Sequence, residues 1–313
     1  MRNLLKFFLF VSIVFSSSLI AKYPSKTIEI IVPSKAGGST DLTARLFAET
    51  AKKYWKDADF TIVNRGGAGG LIGFEAINRS KPDGYTLGLI FTPQLVAHIV
   101  SKRAKYNLDN FKIVGNVAED PGVIVVNVES PINNLEDLVK KAKTEKLTVA
   151  VNGVGSDDYI AAKNLEKSNG ISFNLMPTKG STEQTTAILG NHIDASVMNL
   201  SQMITHYKAG KVKIIAILSK QRSELVPNVL TSVEQGYDVL MTATRGFIVP
   251  GKVKDDIYKK IVDLYTKVIN DEEFKKRAKN SYIFLKALEA SEYKAYLEEL
   301  QNITKKVYDE SPW

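Results

Sequence analysis

The residue pattern best suited to chemistry is a glycine-rich turn that follows an apolar segment near the start of the chain. Residues 33–41 read P-S-K-A-G-G-S-T-D, and helical spacing begins at the end of this turn. Glycines let the backbone approach a ligand closely, and the free N–H groups of a first helical turn bind anions. The pattern therefore indicates an anion site. A simple helix start capped by Thr40 or Asp41 is the alternative.

Two further glycine loops follow strand-like segments. Residues 64–73 read N-R-G-G-A-G-G-L-I-G, and residues 153–156 read G-V-G-S. The first loop lacks the dinucleotide-binding spacing, because its third glycine would be residue 72, which is Ile, and residues 87–93 contain no acid. The second loop also lacks a third glycine, and the sequence has no P-loop lysine motif. We therefore predict no cofactor.

Groups that could catalyse a reaction or hold a metal are scarce in this sequence. The chain has no cysteine, and its three histidines, His98, His192 and His206, share no ligand spacing. The G-x-S-x-G and H-E-x-x-H motifs are both missing from the sequence. The adjacent acids Asp157 and Asp158 suit a helix start better than a shared substrate. We predict neither a catalytic nor a metal site, and hence a protein that is not an enzyme.

Alternating strand and helix patterns position these loops. The first unit consists of a strand at 27–32, a helix at 40–55, a strand at 60–63, a helix at 69–78 and a strand at 85–91. A second alternating unit begins with the apolar segment 122–128 and extends to residue 218. This order predicts mostly parallel sheets covered by helices. Because no flexible linker separates the units, we expect them to be joined by short crossings near Pro121 and Arg245.

Composition and charge are those of a soluble globular protein. The chain is 44% hydrophobic and 24% charged, which is typical of globular domains. Its 313 residues are enough for one large or two medium domains. The formal net charge is +8, but the lysines are scattered and form no basic block interleaved with aromatic residues. We therefore predict no nucleic-acid partner.

Residues 1–21 have the pattern of a secretory signal peptide. Arg2 and Lys6 accompany an apolar core that runs from Leu4 to Val14, and small polar residues follow it. The core is shorter than a membrane span requires. We predict cleavage after residue 21, or alternatively after residue 18, and a periplasmic mature protein. An uncleaved N-terminal anchor is the other interpretation.

Six groups of short motifs occur in order between Tyr23 and about Leu264. They are the opening Y-P-S-K at 23–26 with A-G-G-S-T-D at 36–41, the loop 64–73, P-D-G-Y-T-L at 82–87, the positions Gly153, Gly155, Ser156, Lys179, Gly180, Gly190 and Asp194, the positions Thr231, Glu234 and Gly236, and Pro250-Gly251. Together they resemble the Bug-type substrate-binding proteins of tripartite tricarboxylate transporters.

The resemblance implies an α/β fold of the type II periplasmic-binding class, with two αβ lobes joined by a hinge around a central cleft. Residues 22–121 are expected to form lobe 1 and residues 122–241 lobe 2, while residues 242–313 return to lobe 1 and end in helices. In this family two loops hold a ligand carboxylate. Carried over, the resemblance places these binding residues at Ala36, Gly37, Gly38, Ser39, Thr40 and Asp41 in one lobe and at Gly155 and Ser156 in the other. Weaker candidates are Thr178, Lys179, Gly180 and Asn199.

The sequence departs from the family at three places. Lys35 stands where an aromatic residue is usual, Thr178 replaces a tyrosine, and Thr244-Arg245 replaces an aromatic pair. Arginine binds carboxylates in a bidentate manner. Our hypothesis is that Lys35 or Arg245 adds a cation that faces a second acidic group of the ligand. In the alternative, both side chains extend to solvent.

The sequence thus predicts a monomeric periplasmic protein that captures a small organic carboxylate, such as a di- or tricarboxylate. Its predicted partners are the integral-membrane permease subunits of a tripartite tricarboxylate-type transporter. A periplasmic ligand-sensing protein for a signalling receptor is one alternative, because the capture step is the same. The other is an exported αβ enzyme that acts on carboxylates, which would need a nucleophile–base pair.

Overall fold

The computed structural model describes residues 23–310 and 312–313, so the predicted signal peptide lies outside the described residues. The N-terminal part forms β1 (Ile28–Val32), α1 (Ser39–Tyr54), β2 (Phe60–Asn64), a 3₁₀ turn (Ala68–Gly70), α2 (Leu71–Arg79), β3 (Thr86–Phe91), α3 (Gln94–Val100) and a second 3₁₀ turn (Leu108–Asn110). The middle part forms β4 (Phe111–Asn127), α4 (Leu135–Ala142), β5 (Thr148–Val151), α5 (Asp157–Asn169), β6 (Asn174–Pro177), α6 (Ser181–Leu189), β7 (Ala195–Asn199), α7 (Leu200–Lys208) and β8 (Val212–Ile217). The C-terminal part forms β9 (Thr242–Pro250), α8 (Asp255–Asn270), α9 (Glu272–Asn280), β10 (Leu285–Glu289) and α10 (Ala290–Glu310).

One long strand, β4, is shared by both halves of the molecule. Its residues 111–121 pair antiparallel with β9, and β10 pairs with the same stretch. From Gly122 onward β4 pairs instead with β7 and β8. The change of partner lies between Pro121 and Gly122; the predicted lobe boundary at this place stays a prediction. The second predicted crossing adjoins the first, because Pro121 lies opposite Thr242 of β9.

Parallel strands form the outer part of each half. In the first half β1 lies between β2 and β3, and in the second half β5 lies between β6 and β7, all in parallel. The prediction of mostly parallel sheets describes these strands but not the centre. There β9 and β4 run antiparallel to their neighbours, so the sheet is mixed.

Helices cover both faces of each half, which explains the apolar strands. Ile30 and Ile31 of β1 point to opposite faces, and both are buried. Ile30 packs in a core with Phe47 of α1, whose ring centroid lies 4.2 Å from that of Phe247 on β9. Ile31 packs in the core on the other face with Phe74 of α2. The second half has two cores of its own, one on each face. Each half is therefore an αβ lobe.

Several elements differ from the sequence-based expectation. Helices α3 and α7, strand β10 and the first eleven residues of β4 were not predicted, because their residues lack clear periodicity or are polar. Asn116, for example, is fully buried in β4 and donates to the carbonyl of Lys286 at 2.8 Å. Among the described residues no helix has the length and apolar character needed to cross a membrane.

Candidate functional site

A cavity of about 850 Å³ is lined by residues of both lobes. The first lobe contributes Pro33, Ser34, Lys35, Ala36, Gly38, Ser39, Thr40, Asn64, Gly66, Gly67, Ala68, Gly69, Gly70, Phe91, Thr92, Gln94, Arg103, Ala243 and Arg245. The second lobe contributes Asn152, Gly153, Val154, Asp157, Thr178, Lys179, Gly180, Ser181, Thr182, Glu183, Asn199 and Gln202. The size is that of a small-molecule site.

Helix N-termini converge on this cavity because the loops after the strands lead directly into helices. Helices α1 and α6 begin after their N-cap glycines, Gly38 and Gly180, which have no side chain to cap the first turn. Both turns line the cavity, one from each lobe. Their N–H groups carry the partial positive charge of the helix dipole. The arrangement favours an anion that reaches both lobes.

The turn before α1 is held in shape by Asp41. Its buried carboxylate accepts hydrogen bonds from Gly37 N, Arg45 Nε and Asn64 Nδ2, each at 2.9 Å. Burial alone would raise the pKa of Asp41, but these hydrogen bonds outweigh burial and hold the pKa below its usual value. The carboxylate oxygens of Asp41 are thus used to hold the loop in shape, and the residue lies behind the cavity wall.

The turn before α2 is supported by His98. Its ring Nε2 lies 3.0 Å from the carbonyl oxygen of Gly69, and burial lowers the pKa of the imidazole. Neutral His98 can donate to this carbonyl and fix the loop.

The described residues contain no group of three or more His, Cys, Asp and Glu side chains that could hold a metal ion.

A buried ion pair lies at the floor of the cavity. Arg245 is 4% exposed and donates from Nη2 to Asp120 Oδ2 at 3.0 Å and to Ser39 Oγ at 2.8 Å. Fully buried Asp120 also accepts hydrogen bonds from the backbone N–H and the hydroxyl of Ser201. The pair ties β9, β4, α1 and α7 together. Arg245 therefore does not extend to solvent, whereas Lys35 is exposed at the rim.

A second acidic group in the floor, Asp157, is held by two side-chain amides. Asp157 is 7% exposed, and its carboxylate accepts from Gln94 Nε2 at 3.4 Å and from Asn199 Nδ2 at 3.0 Å. Burial raises the pKa of this carboxyl. The adjacent Asp158 accepts from Asn152 N and Gln184 Nε2, and burial together with the charge of Asp157 raises its pKa well above the usual value.

The structure brings most of the predicted binding residues together at this cavity. Those in its wall are Lys35, Ala36, Gly38, Ser39, Thr40, Thr178, Lys179, Gly180, Asn199 and Arg245. Their contact with a ligand stays a prediction.

Four predicted binding residues lie outside the cavity wall. Gly37 and Asp41 are joined to each other by a hydrogen bond behind the first loop. Ser156 is fully buried, and its hydroxyl oxygen accepts a hydrogen bond from Tyr159 N, which caps α5. Gly155 is packed against the indole of Trp313, where an added Cβ would lie 2.6 Å from Nε1. Gly37 is exposed, whereas the other three residues are buried and shape the loops.

Sequence reasoning did not assign other residues of the wall. The sequence marks the loop Gly66–Gly70 as glycine-rich but does not assign it to the site. Gln94, Asp157 and the first turn of α6 were missed, although each follows the end of a strand. That position was the available indication, because ligands bind at the carboxyl ends of strands in αβ sheets.

The chain is similar to known proteins over most of its length. The model of the tripartite tricarboxylate transporter family receptor matches residues 43–311. Protein BugT of Bordetella pertussis is 32% identical over 254 residues, which are 80% of this chain and 77% of BugT. A TctC solute-binding protein from Polaromonas is 27% identical with a TM-score of 0.72 and covers 92% of this chain and 99% of its own.

A further solved structure shares the fold. MatC from Rhodopseudomonas palustris, determined with bound malate, has a TM-score of 0.82 at 22% identity and covers 91% of this chain and 99% of its own. The likeness to these solved structures confirms the predicted two-lobed α/β fold.

Proposed function

Because this chain belongs to the receptor family of tripartite tricarboxylate transporters, as its motifs predict, we propose that it captures a small organic carboxylate for such a transporter. The family and the fold are those of solute-binding proteins. The step performed is therefore binding and release, with the ligand chemically unchanged. We propose that residues 1–21 direct export and that the mature protein works in the periplasm as a monomer.

The observation that carries this proposal is the pair of uncapped helix starts that face one cavity from different lobes. The first turn of α1 and the first turn of α6 both present N–H groups without a side-chain cap. A carboxylate oxygen accepts strongly from such groups. An acid that contacts both turns is bound better when the lobes are closed than when they are open. Such differential contact shifts the population toward the closed form.

Exposed cations at the rim of the cavity also favour the binding of an acid. Lys35, Arg103 and Lys179 line the cavity and are exposed, so their charges attract an acid to the opening. At the floor Arg245 is already paired with Asp120, and its Nε donor has no hydrogen-bond partner among the described residues. We propose that this donor, rather than a free charge, faces an acidic group of the ligand.

The hinge in this proposal is the place where β4 and β9 cross between the lobes, with residues 22–121 and 242–313 on one side and residues 122–241 on the other. Few residues need to change their backbone angles in such a closure. The closed form would then dock on the permease subunits. MatC, which shares the fold, holds malate, so the fold accommodates a dicarboxylate.

The first test is a thermal-shift screen of the mature chain, from Lys22 onward, against mono-, di- and tricarboxylates. A ligand at about 100 times its dissociation constant should add about 2.7 kcal/mol to the free energy of unfolding. The ligand is recovered afterwards and analysed by mass. Turnover would contradict a purely binding role, and protein freed of endogenous ligand that responds to no acid would refute the carboxylate proposal.

A matched pair of variants tests the role of the α1 start. Ser39 is the first residue of α1, and Gly38 before it is extended with φ −81° and ψ 169°. Proline is tolerated at a first helical position and after an extended residue, so Ser39→Pro removes the N–H and the hydroxyl, whereas Ser39→Ala removes only the hydroxyl. We expect Ser39→Pro to bind the acid at least about tenfold more weakly than Ser39→Ala, the value of one charged hydrogen bond. Equal affinities would show that this N–H does not hold the ligand.

A further inference from the structure

We propose that the ligand of this cleft is a zwitterion, an acid that also carries an ammonium group, and that the ammonium binds at Asp157 and Gln94. The inference rests on the proposed function, since it assigns the carboxylate of the same ligand to the helix starts. It goes beyond that function because it separates amino acids and their analogues from plain organic acids.

The first argument is the charge balance of the cavity floor. Asp120 and Arg245 form an ion pair at 3.0 Å and are both buried. Asp157 is the other carboxylate of the floor, and no lysine, arginine or histidine among the described residues forms an ion pair with it. Its neighbour Asp158 keeps its proton and adds no charge, because burial and the charge of Asp157 raise its pKa. The buried groups here are thus acidic in excess, and a cation from the ligand would balance Asp157.

The second argument is the set of hydrogen-bonding atoms beside Asp157. Gln94 is 4% exposed, and its Nε2 donates to Asp157 Oδ1 while its Oε1 has no hydrogen-bond partner among the described residues. Asn199 turns its Nδ2 to Asp157 Oδ2, because its Oδ1 accepts from Gln202 Nε2 at 3.3 Å. The atoms left for a ligand are therefore carboxylate oxygens and one amide oxygen, all acceptors.

An ammonium group complements these atoms, since it has three N–H donors and no acceptor. A ligand carboxylate at the same place would meet a like charge and an amide oxygen, and it would leave the Gln94 oxygen without a donor. Such a mismatch lowers affinity for the wrong ligand. The floor thus discriminates against a second carboxylate at this position.

The third argument is an unused donor on the other side of the ion pair. Arg245 Nε is buried and has no hydrogen-bond partner among the described residues. Nη2 of the same guanidinium donates to Ser39 Oγ at the start of α1. A ligand carboxylate near α1 would satisfy this Nε after a small shift of the guanidinium, because the atom is covered in the present conformation. One orphaned acceptor and one orphaned donor in the same cavity wall match the two ends of a zwitterion.

The experiment compares pairs of acids that differ by one amino group, namely succinate with aspartate, glutarate with glutamate, and propionate with β-alanine. Calorimetry at about pH 7.5 measures each affinity for the wild type, for Asp157→Asn and for Asp256→Asn, which removes an exposed charge away from the cavity. We expect the amino member to bind the wild type about 10- to 100-fold more tightly, the range for a hydrogen bond to a charged group. Asp157→Asn should remove this preference, and Asp256→Asn should keep it.

The outcomes separate this inference from the proposed function. If plain acids bind the wild type as tightly as their amino counterparts, the inference is wrong while the carboxylate function stands. The same holds if plain acids bind more weakly as the pH rises and only when Asp157 is present, because Asp157 would then act as a protonated donor. If no acid binds but 1,4-diaminobutane binds through Asp157, the ammonium site at Asp157 is supported and the proposed carboxylate function is wrong. If none of these probes binds, both fail.

Discussion

Breaking the buried ion pair between Asp120 and Arg245 from one side should cost more stability than removing both charges. Asp120 is fully buried and Arg245 is 4% exposed. Asp120→Asn keeps an acceptor for Ser201 N but removes the carboxylate that pairs with the guanidinium at 3.0 Å. Arg245→Met leaves the carboxylate with only the two Ser201 donors. The double variant places two neutral side chains in the same space.

The magnitude follows from the burial of the pair. A buried charge that loses its partner costs about 3–5 kcal/mol, whereas replacing both charges by neutral groups costs much less. Because Ser201 stays bonded in both variants, we expect about 3 kcal/mol for each single variant and about 2 kcal/mol for the double variant. The coupling of about 4 kcal/mol is in the range measured for close charge pairs. At about 2 °C per kcal/mol for a chain of this size, each single variant should melt about 6 °C below the wild type.

The assay is thermal and urea unfolding of the wild type, both single variants and the double variant, without ligand and in one buffer. The control is the exposed pair Lys26–Asp83, which is joined at 3.3 Å and should couple by less than about 1 kcal/mol. Additive losses at Asp120 and Arg245, or a loss below about 1 kcal/mol for Asp120→Asn, would refute the role given to this pair.

Two further predictions concern stability. Burial raises the pKa of Asp158, so the folded protein keeps a proton that the unfolded chain releases, and stability falls as the pH rises above about 4. Asp158→Asn removes this loss, so it should exceed the wild type by more than about 1 kcal/mol near pH 8 but not near pH 4; a difference that is constant with pH would be contrary to this. In Gly246→Ala the new Cβ would lie 2.2 Å from the Tyr293 ring and 2.7 Å from the Gly115 carbonyl oxygen, which should cost about 1–3 kcal/mol. Gly38→Ala, with its nearest atom at 3.9 Å, should show no such steric loss in the same melting experiment, and equal losses would speak against the steric explanation.

The sequence predicts elements whose own residues determine them. Helix α8 is such an element, because Asp255 and Asp256 favour its start and its apolar residues recur at helical spacing. The first part of β4 escapes prediction because Asn116 and Asp120 are polar yet fully buried. Their partners Lys286 and Arg245 are more than a hundred residues away in the sequence. No local pattern reveals that such groups are satisfied.

The difference between local and long-range determinants also explains which residues of the site the sequence predicts. The loop before α1 is visible in the sequence because glycines next to a helix start have a physical meaning wherever they occur. Gln94 and Asp157 are ordinary helix-start residues when considered alone. They become a pair of acceptors only because the topology joins positions 63 residues apart. A glycine loop can be recognised locally, whereas a charge balance needs the folded neighbours.

The position of β9 between β3 and β4 also sets the order in which this chain can fold. Residues 23–110 supply the strands β1, β2 and β3, but the neighbour that completes their sheet comes from residues 242–250. The second lobe lies entirely between these two stretches of sequence. The first lobe therefore closes only after its chain has spanned the second, and this long-range pairing predicts slow folding. A fragment that ends before Thr242 would leave an unpaired edge on β3, which invites association between chains.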